Sequence, residues 1–326
     1  MNADILRKNT MTLAKYRSNG REPAIFRANQ PKDLMGVHAE LIAKALRPNE
    51  RLRYLFYSPI RESEIMPFGI DAKVGSHAVA VTEDRFLISS NLHVGGITPT
   101  VQNIPFTQVV VIEFGESLLL GWIAIRFLEK EMLSCVSLFF PSPGIHHLEA
   151  AIREYRKMNF TRNFNYPLSG NISWPYVWHY TPKPSVDLLR SIVVEEEWPL
   201  SAFRSSETWE MDSRRRSKIC LVTDGILLVT NRGFIYAQDE SPIRPGMLSF
   251  GVNVCCIPHE SVKSVARIEK KHDSNRLHYL RLGLGRNGVA IRYHVPFDPD
   301  WSASVESLIK YLVQNKQNDK EIRVIS

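Results

Sequence analysis

The segment "DSRRRSK" concentrates positive charge within a few residues. Arg214, Arg215 and Arg216 are consecutive, and Lys218 follows after one serine. Guanidinium groups stay charged and offer paired donors in one plane, so this composition suits phosphate or carboxylate groups. The segment predicts an anion-binding loop. The alternative is a solvated loop that only keeps the protein soluble, because charged clusters are common at turns.

A second basic cluster contains Lys270, Lys271 and Arg276, together with His272. It lies between the apolar runs "SVARIE" and "LHYLRLG", so we predict that it occupies a later hairpin loop and shares the basic rim of the first cluster. The corresponding stretch of the first half, "ESEIMPFGIDAKVG", offers only Lys73. Anion binding is therefore assigned to the second half of the chain.

Signatures of catalysis and metal binding are weak. His146 and His147 are adjacent on a predicted helix, where neighbouring side chains point about 100° apart and cannot share one metal. The run "RLGLGRNG" contains G-x-G-x-x-G spacing, but it lies between two predicted strands, with no helix start to hold a pyrophosphate. We expect no enzyme activity, no metal site and no cofactor.

Four sequence landmarks occur twice, in the same order. They are a leading helix pattern, a hairpin sequence, an Ile-Pro dipeptide and a helix that begins with proline. Measured from Asp33, Val81, Pro105 and Pro141, they recur at offsets of 154, 141, 153 and 155 residues. The hairpin sequences are "VTEDRFLISSN" and "LVTDGILLVTN". A period near 150 residues predicts two related domains, with compensating insertions around the deviating hairpin.

Short segments with alternating apolar and polar residues fill each half, which predicts half-buried antiparallel strands. Asp224-Gly225 and Asn287-Gly288 favour two-residue hairpin turns. Each half ends in an amphipathic helix, beginning near Pro143 and Pro299, that we expect to close the open end of a curved sheet. The predicted fold class is mainly β with added helices.

A segment rich in aromatics and proline joins the halves. It contains Trp174, Tyr176 and Trp178. One interpretation is that these side chains pack against the domains and stiffen the connection; the other is that they form a recognition groove. The predicted organisation is a basic, flexible N-terminus at 1–30, domain 1 at 31–158, the linker at 159–184, domain 2 at 185–315 and a tail at 316–326.

About seven strands followed by a helix, with a "V-T-x-x-R-F-L-I" hairpin and a following "I-P-x-x-x-V" strand, resemble the pleckstrin-homology-like barrel, and especially its bacterial and GRAM-like branches. The resemblance covers residues 45–158 and 196–315. Trp301 resembles the tryptophan of the pleckstrin-homology helix, whereas Ile145 departs from that pattern in the first half.

The resemblance implies two tandem barrels, each of about seven antiparallel strands with a C-terminal helix, used for binding rather than catalysis. It also implies that the loop with Arg214 to Arg216 lies between the first two strands of the second barrel, where phosphoinositide-binding relatives carry basic side chains. Because a fold does not fix a function, the binding site has to be established separately.

Charge and composition limit the remaining classes. The net charge is +7, and residues 1–30 alone carry six Lys or Arg and two acidic residues, so the rest of the chain is nearly balanced. Nucleic-acid binding is therefore disfavoured, although it stays open. The four cysteines lack disulfide or metal spacing, and the N-terminus lacks a secretion signal, so we expect a cytoplasmic protein, either free or peripheral at a membrane.

These observations predict a non-catalytic interaction or scaffold protein. The expected partner is a protein, an acidic peptide or an anionic membrane surface with phosphoinositide-like headgroups, bound mainly by domain 2. Self-assembly through barrel edges, giving a homo-oligomer, is an alternative.

Overall fold

Antiparallel strands dominate the chain, which confirms the mainly β prediction. The computed structural model describes residues 25–59, 61–62, 73–91, 99–117, 120–130, 132–159, 173–212, 217–240, 251–272, 275–286 and 289–317. The predicted flexible N-terminus therefore lies mostly outside the described residues, as do most of the C-terminal tail and residues 160–172 of the linker.

The strands are numbered in chain order. They are β1 Phe26–Arg27, β2 Tyr54–Ser58, β3 Arg61–Glu62, β4 Lys73–Val74, β5 Ser76–Val81, β6 Arg85–Asn91, β7 Thr100–Pro105, β8 Val109–Ser117, β9 Leu120–Glu129, β10 Met132–Pro141, β11 Pro199–Ser205, β12 Thr208–Asp212, β13 Ser217–Val222, β14 Gly225–Thr230, β15 Gly233–Asp239, β16 Gly251–Pro258, β17 Val262–His272, β18 Asn275–Arg286 and β19 Val289–Phe297. The helices are α1 Val37–Ala45, α2 Ile145–Met158, α3 Trp174–Tyr180, α4 Lys183–Ile192 and α5 Ser302–Gln317.

The chain divides into two compact units. Unit 1 comprises Met1–Gln108, Leu119–Trp122 and Ser137–Phe160, and unit 2 comprises Val109–Leu118, Ile123–Val136 and Thr161–Ser326. The domain ranges predicted from the sequence differ from these units mainly at residues 109–136. The reason is that β8 pairs with β16, placing Ile112 opposite Cys256.

The sheet of unit 1 has the order β1-β2-β5-β6-β7, and a helix covers each of its faces. Ile42 of α1 packs with Leu55, Ala80 and other residues on one face. On the other face, Tyr155 of α2 lies 5.2 Å from the ring of Phe86. The expectation of half-buried strands was wrong here: all residues of β2 and β5 are buried, because helices lie on both sides.

Unit 2 contains the three-stranded sheet β17-β18-β19, the hairpin β12-β13 and most of a seven-stranded sheet of order β10-β9-β8-β16-β15-β14-β11. One hydrophobic core joins the three-stranded sheet, the seven-stranded sheet and α5; it includes Phe203, Phe234, Leu282 and Leu308. Leu189 and Ile192 of α4 are also fully buried. The central strands of unit 2 are therefore buried along nearly their whole length, as in unit 1.

The structure corrects the pairing of the two hairpin sequences. Within its sheet, β6 follows β5 as β15 follows β14, so the counterpart of Val81–Asn91 is residues 229–239. The hydroxyl of Thr82 donates to the carbonyl of Arg85 at 3.2 Å, and the hydroxyl of Thr230 donates to the carbonyl of Gly233 at 3.1 Å. The offset becomes 148, so its difference from the leading-helix offset of 154 falls from 13 residues to 6, and the compensating insertions around the hairpin become smaller.

Asp224-Gly225 does not form the predicted hairpin turn. β12 and β13 pair with each other, and β11 and β14 pair with each other, so the four strands form one long hairpin. Asp224-Gly225 lies at the bend where its returning half passes from β13 to β14. The carboxylate of Asp224 accepts the backbone N–H of Glu207 at 3.0 Å across this bend. The Asn287-Gly288 connection does join paired strands, since Arg286 lies opposite Val289.

A buried ion pair closes the turn between β5 and β6. Nε of Arg85 donates to Glu50 at 2.8 Å, and Arg85 also donates to the carbonyl of Ala45 at the end of α1 at 3.0 Å. The side chains of Arg85 and Glu50 are 5% and 6% exposed. The hydrogen bond from Arg85 is the main reason that the pKa of Glu50 is lowered to about 2.

Replacing Arg85 tests the importance of this pair. We expect Arg85→Ala to lower the free energy of unfolding by about 3 kcal/mol or more, because Glu50 would stay buried without its partner. Arg47→Ala is the matched control; it breaks an exposed pair with Asp84 and should cost less than about 1 kcal/mol. Urea unfolding of the three proteins measures both effects, and equal costs for the two variants would contradict the account.

Candidate functional site

The three arginines of the first basic cluster fall outside the described residues. Arg214, Arg215 and Arg216 belong to the connection 213–216, between two strands that pair with each other up to Asp212 and Ser217. This connection is therefore the loop end of the β12-β13 hairpin. Where its side chains lie stays a prediction.

Lys218 is described, and it is exposed near the same hairpin end. It lies opposite Met211, and the next pair along the strands is Glu210 with Ile219. Opposed residues share a face and successive residues alternate, so Lys218 and Met211 occupy the face opposite to Glu210. Met211 is 57% exposed and Ile219 39%. Two large apolar side chains therefore reach solvent beside the basic loop.

The second basic cluster occupies the end of the β17-β18 hairpin, as the sequence predicts. Lys271 lies directly opposite Arg276, and Lys270 lies opposite Leu277. All three cations are exposed. Like charges directly opposite each other repel, and within the described residues no carboxylate forms an ion pair with any of the three. Among the described residues, these three cations therefore have no ion-pair partner, and the connection 273–274 adds Asp273 to the same hairpin end.

Two contacts hold the hairpin ends together. Nδ1 of His272 lies 3.4 Å from Oε2 of Glu210, and the side-chain amide of Asn275 donates to the carbonyl of Trp209 at 3.4 Å. These contacts join β12 to the end of the β17-β18 hairpin. The structure therefore places the described end of the β12-β13 hairpin, which carries Lys218, beside the end of the β17-β18 hairpin. That Arg214, Arg215 and Arg216 share this basic rim stays a prediction.

The aromatic candidates lie on α3. Trp174 and Trp178 stack with ring centroids 4.8 Å apart, and the guanidinium of Arg190 lies 5.3 Å from the Trp178 ring. Nε1 of Trp174 donates to the carbonyl of Glu197 at 3.0 Å. Tyr176 is 40% exposed. Trp174 and Trp178 thus pack within unit 2, and Tyr176 remains accessible.

Sequence reasoning missed several residues. Met211 and Ile219 were not singled out, because the sequence of one hairpin does not predict which of its apolar side chains are exposed to solvent. Arg281, Arg292 and His294 were also missed; Arg281 stands on β18 and the other two on β19, and only the strand register brings them together. The signal that could have found them is the alternation of apolar with other residues in "LRLGLG" and "IRYHV", which places Arg281, Arg292 and His294 at non-core positions of two neighbouring strands.

Two further findings concern the described part of the chain. Its His, Cys, Asp and Glu side chains form no group of three or more that could hold a metal ion. Its helices include none that is long and apolar enough to cross a bilayer.

No protein-family description matches the chain, and no curated protein is significantly similar to it.

The opposed pair at the hairpin end gives a stability test. Lys271→Glu replaces a repulsive cross-strand pair with an attractive one, so we expect the free energy of unfolding to rise by about 0.5 kcal/mol. Lys271→Gln removes the repulsion alone and should give a smaller gain. Urea unfolding at low ionic strength measures both, and a loss of stability in Lys271→Glu would show that another group already neutralises Arg276.

Proposed function

We propose that this protein is a non-catalytic, peripheral membrane-binding module of two pleckstrin-homology-like barrels, and that unit 2 binds anionic lipid headgroups. The proposal depends on one observation above all. Two hairpin ends, held together by the contacts of Glu210 with His272 and of Trp209 with Asn275, present cations that no described carboxylate neutralises. A surface of this charge suits a headgroup layer.

Exposed apolar side chains favour a membrane over a soluble acidic partner. Met211 and Ile219 flank the loop that carries the three arginines, and both reach solvent. Apolar side chains beside cations are typical of surfaces that insert into the boundary between headgroups and acyl chains. A site for a free acidic peptide would not require them.

The number of charges sets the expected strength. Each Lys or Arg near an anionic membrane contributes about 1 kcal/mol, so Lys218, Lys270, Lys271 and Arg276 together supply about 4 kcal/mol. That corresponds to binding in the millimolar range. The three arginines of the loop and the insertion of Met211 and Ile219 would strengthen it towards the micromolar range.

Vesicle co-sedimentation tests the proposal. We expect the protein to bind vesicles containing phosphatidylserine or phosphoinositides and not neutral vesicles. Lys271→Gln/Arg276→Gln should weaken binding by roughly tenfold or more, through the loss of about 2 kcal/mol of attraction. The control Lys32→Gln/Arg51→Gln removes two exposed cations from unit 1 and should leave binding unchanged.

The apolar contribution needs a second variant and a salt series. Met211→Ser/Ile219→Ser should weaken vesicle binding by a factor that changes little with salt, whereas the charge variants should lose their effect as salt rises. If neither variant differs from the wild type, unit 2 does not bind membranes through its hairpin ends. Binding to random DNA with a steep salt dependence would instead favour nucleic acid.

A further inference from the structure

A second group of cations lies on the three-stranded sheet of unit 2, further along its strands from the hairpin end that carries Lys271 and Arg276. Leu280, Leu282 and Leu284 of β18 point into the core and are at most 1% exposed. Because side chains alternate along a strand, Arg281 and Gly283 lie on the opposite face. That face is independent of the core and carries the residues described next.

The strand register gathers three basic side chains on this face. Arg281 of β18 lies opposite His294 of β19, and Gly283 lies opposite Arg292. Directly opposed side chains have Cβ atoms about 5 Å apart, and diagonal neighbours remain within reach of long side chains. Arg281, Arg292 and His294 therefore surround one small area of the sheet.

Small residues form the floor of this area. A Cβ atom at Gly283 would lie 2.2 Å from Oγ of Ser264, so the serine hydroxyl occupies the space that a larger residue at 283 would need. Ala266 lies opposite Arg281 on the other neighbouring strand. Longer side chains at Gly283 and Ala266 would fill the space between the cations. Because both residues are small, that space stays open beside the hydroxyl of Ser264.

The positive charges of this face act together on the imidazole of His294. Partial burial, followed by the charges of Lys270, Arg281 and Arg292, lowers the pKa of His294. Nζ of Lys270 lies 5.2 Å from the ring centroid of Tyr279, whose ring is 6.2 Å from that of His294. Within the described part of the chain, no carboxylate forms an ion pair with Lys270, Arg281 or Arg292.

We propose that this face is a second anion site, which binds a phosphate group between Arg281, Arg292 and His294, with the hydroxyl of Ser264 as a further donor. The chemistry that it recognises is a phosphomonoester, carried either by a small soluble molecule or by a lipid headgroup. Arginine suits this ligand because its planar donors match phosphate oxygens. The site does not depend on membrane binding by the hairpin ends.

Proton uptake at His294 accompanies binding. A bound anion favours the charged imidazolium, so it raises the pKa of His294 against the opposing effect of Lys270, Arg281 and Arg292. Affinity therefore increases as the pH falls through the pKa of His294. Sulfate isolates this effect, because its own charge is constant near neutral pH whereas phosphate titrates there.

Histidine NMR on the full chain tests the site directly. The ring signals of the ten histidines are recorded with labelled histidine, and His294→Gln assigns the signal of His294. We expect inorganic phosphate and sulfate each to shift this signal saturably, with a dissociation constant of about 1 mM or tighter. The anion should also move the titration midpoint of His294 upward by about one pH unit.

Two double variants separate this site from the hairpin ends. Arg281→Gln/Arg292→Gln should weaken phosphate binding at least tenfold, whereas Lys271→Gln/Arg276→Gln should leave it unchanged. An unshifted His294 signal, or an equal response in both double variants, overturns the proposal. Failure of vesicle binding alone would leave this result intact, so the two proposals fail separately.

Vesicles and a soluble headgroup identify the source of the phosphate. If Arg281→Gln/Arg292→Gln loses binding to both inositol trisphosphate and phosphoinositide vesicles, the site takes a lipid headgroup. If it loses only inositol trisphosphate and inorganic phosphate, the site takes a soluble phosphate. If it binds all three as the wild type does, no phosphate site exists on this face.

Discussion

The central strands of each unit have almost no face left for solvent, and this constraint determines where binding can occur. In unit 1 a helix covers each face of the sheet, and in unit 2 the three-stranded sheet and α5 share one core with the β11, β14, β15 and β16 strands. A sheet buried on both faces can offer only its edges, loops and hairpin ends. In unit 2 the two hairpin ends and the outer face of β17-β18-β19 are accessible, and they carry cations that form no ion pair with a described carboxylate.

The two units share a threonine hydrogen bond and an arginine–glutamate pair at a turn between strands, but the burial of the glutamate differs. Thr82 and Thr230 each donate to the carbonyl three residues further on. Arg85, just after the first turn, donates to Glu50, which precedes β2, and Arg232, within the second turn, donates to Glu196, which precedes β11. In unit 1 the glutamate is buried with its arginine. In unit 2 Glu196 is 85% exposed while Arg232 is 5% exposed. A solvated glutamate is attracted to its arginine more weakly, so this ion pair contributes less to stability than the buried pair of unit 1.

Local pattern predicts much of the fold, because turns, caps and apolar periodicity act over a few residues. The leading helices, the Pro-led C-terminal helices and the hairpin at Asn287-Gly288 all follow from such signals. Burial on both faces could not be predicted, since it depends on which helix covers which sheet. Asp224-Gly225 has favourable turn chemistry, yet the pairing of β11 with β14 makes it a bend. The basic clusters were visible in sequence, whereas the cluster at His294 required the register of β18 with β19.

Hydrogen exchange on the unmodified protein, with anionic and with neutral vesicles, tests the central claim most directly. If unit 2 binds membranes through its hairpin ends, backbone amides at 208–222 and 262–280 should exchange more slowly with anionic vesicles only. Amides of unit 1 should be unaffected. Protection confined to unit 1, or equal protection by neutral vesicles, would contradict the assignment of the binding surface to the paired hairpins of unit 2.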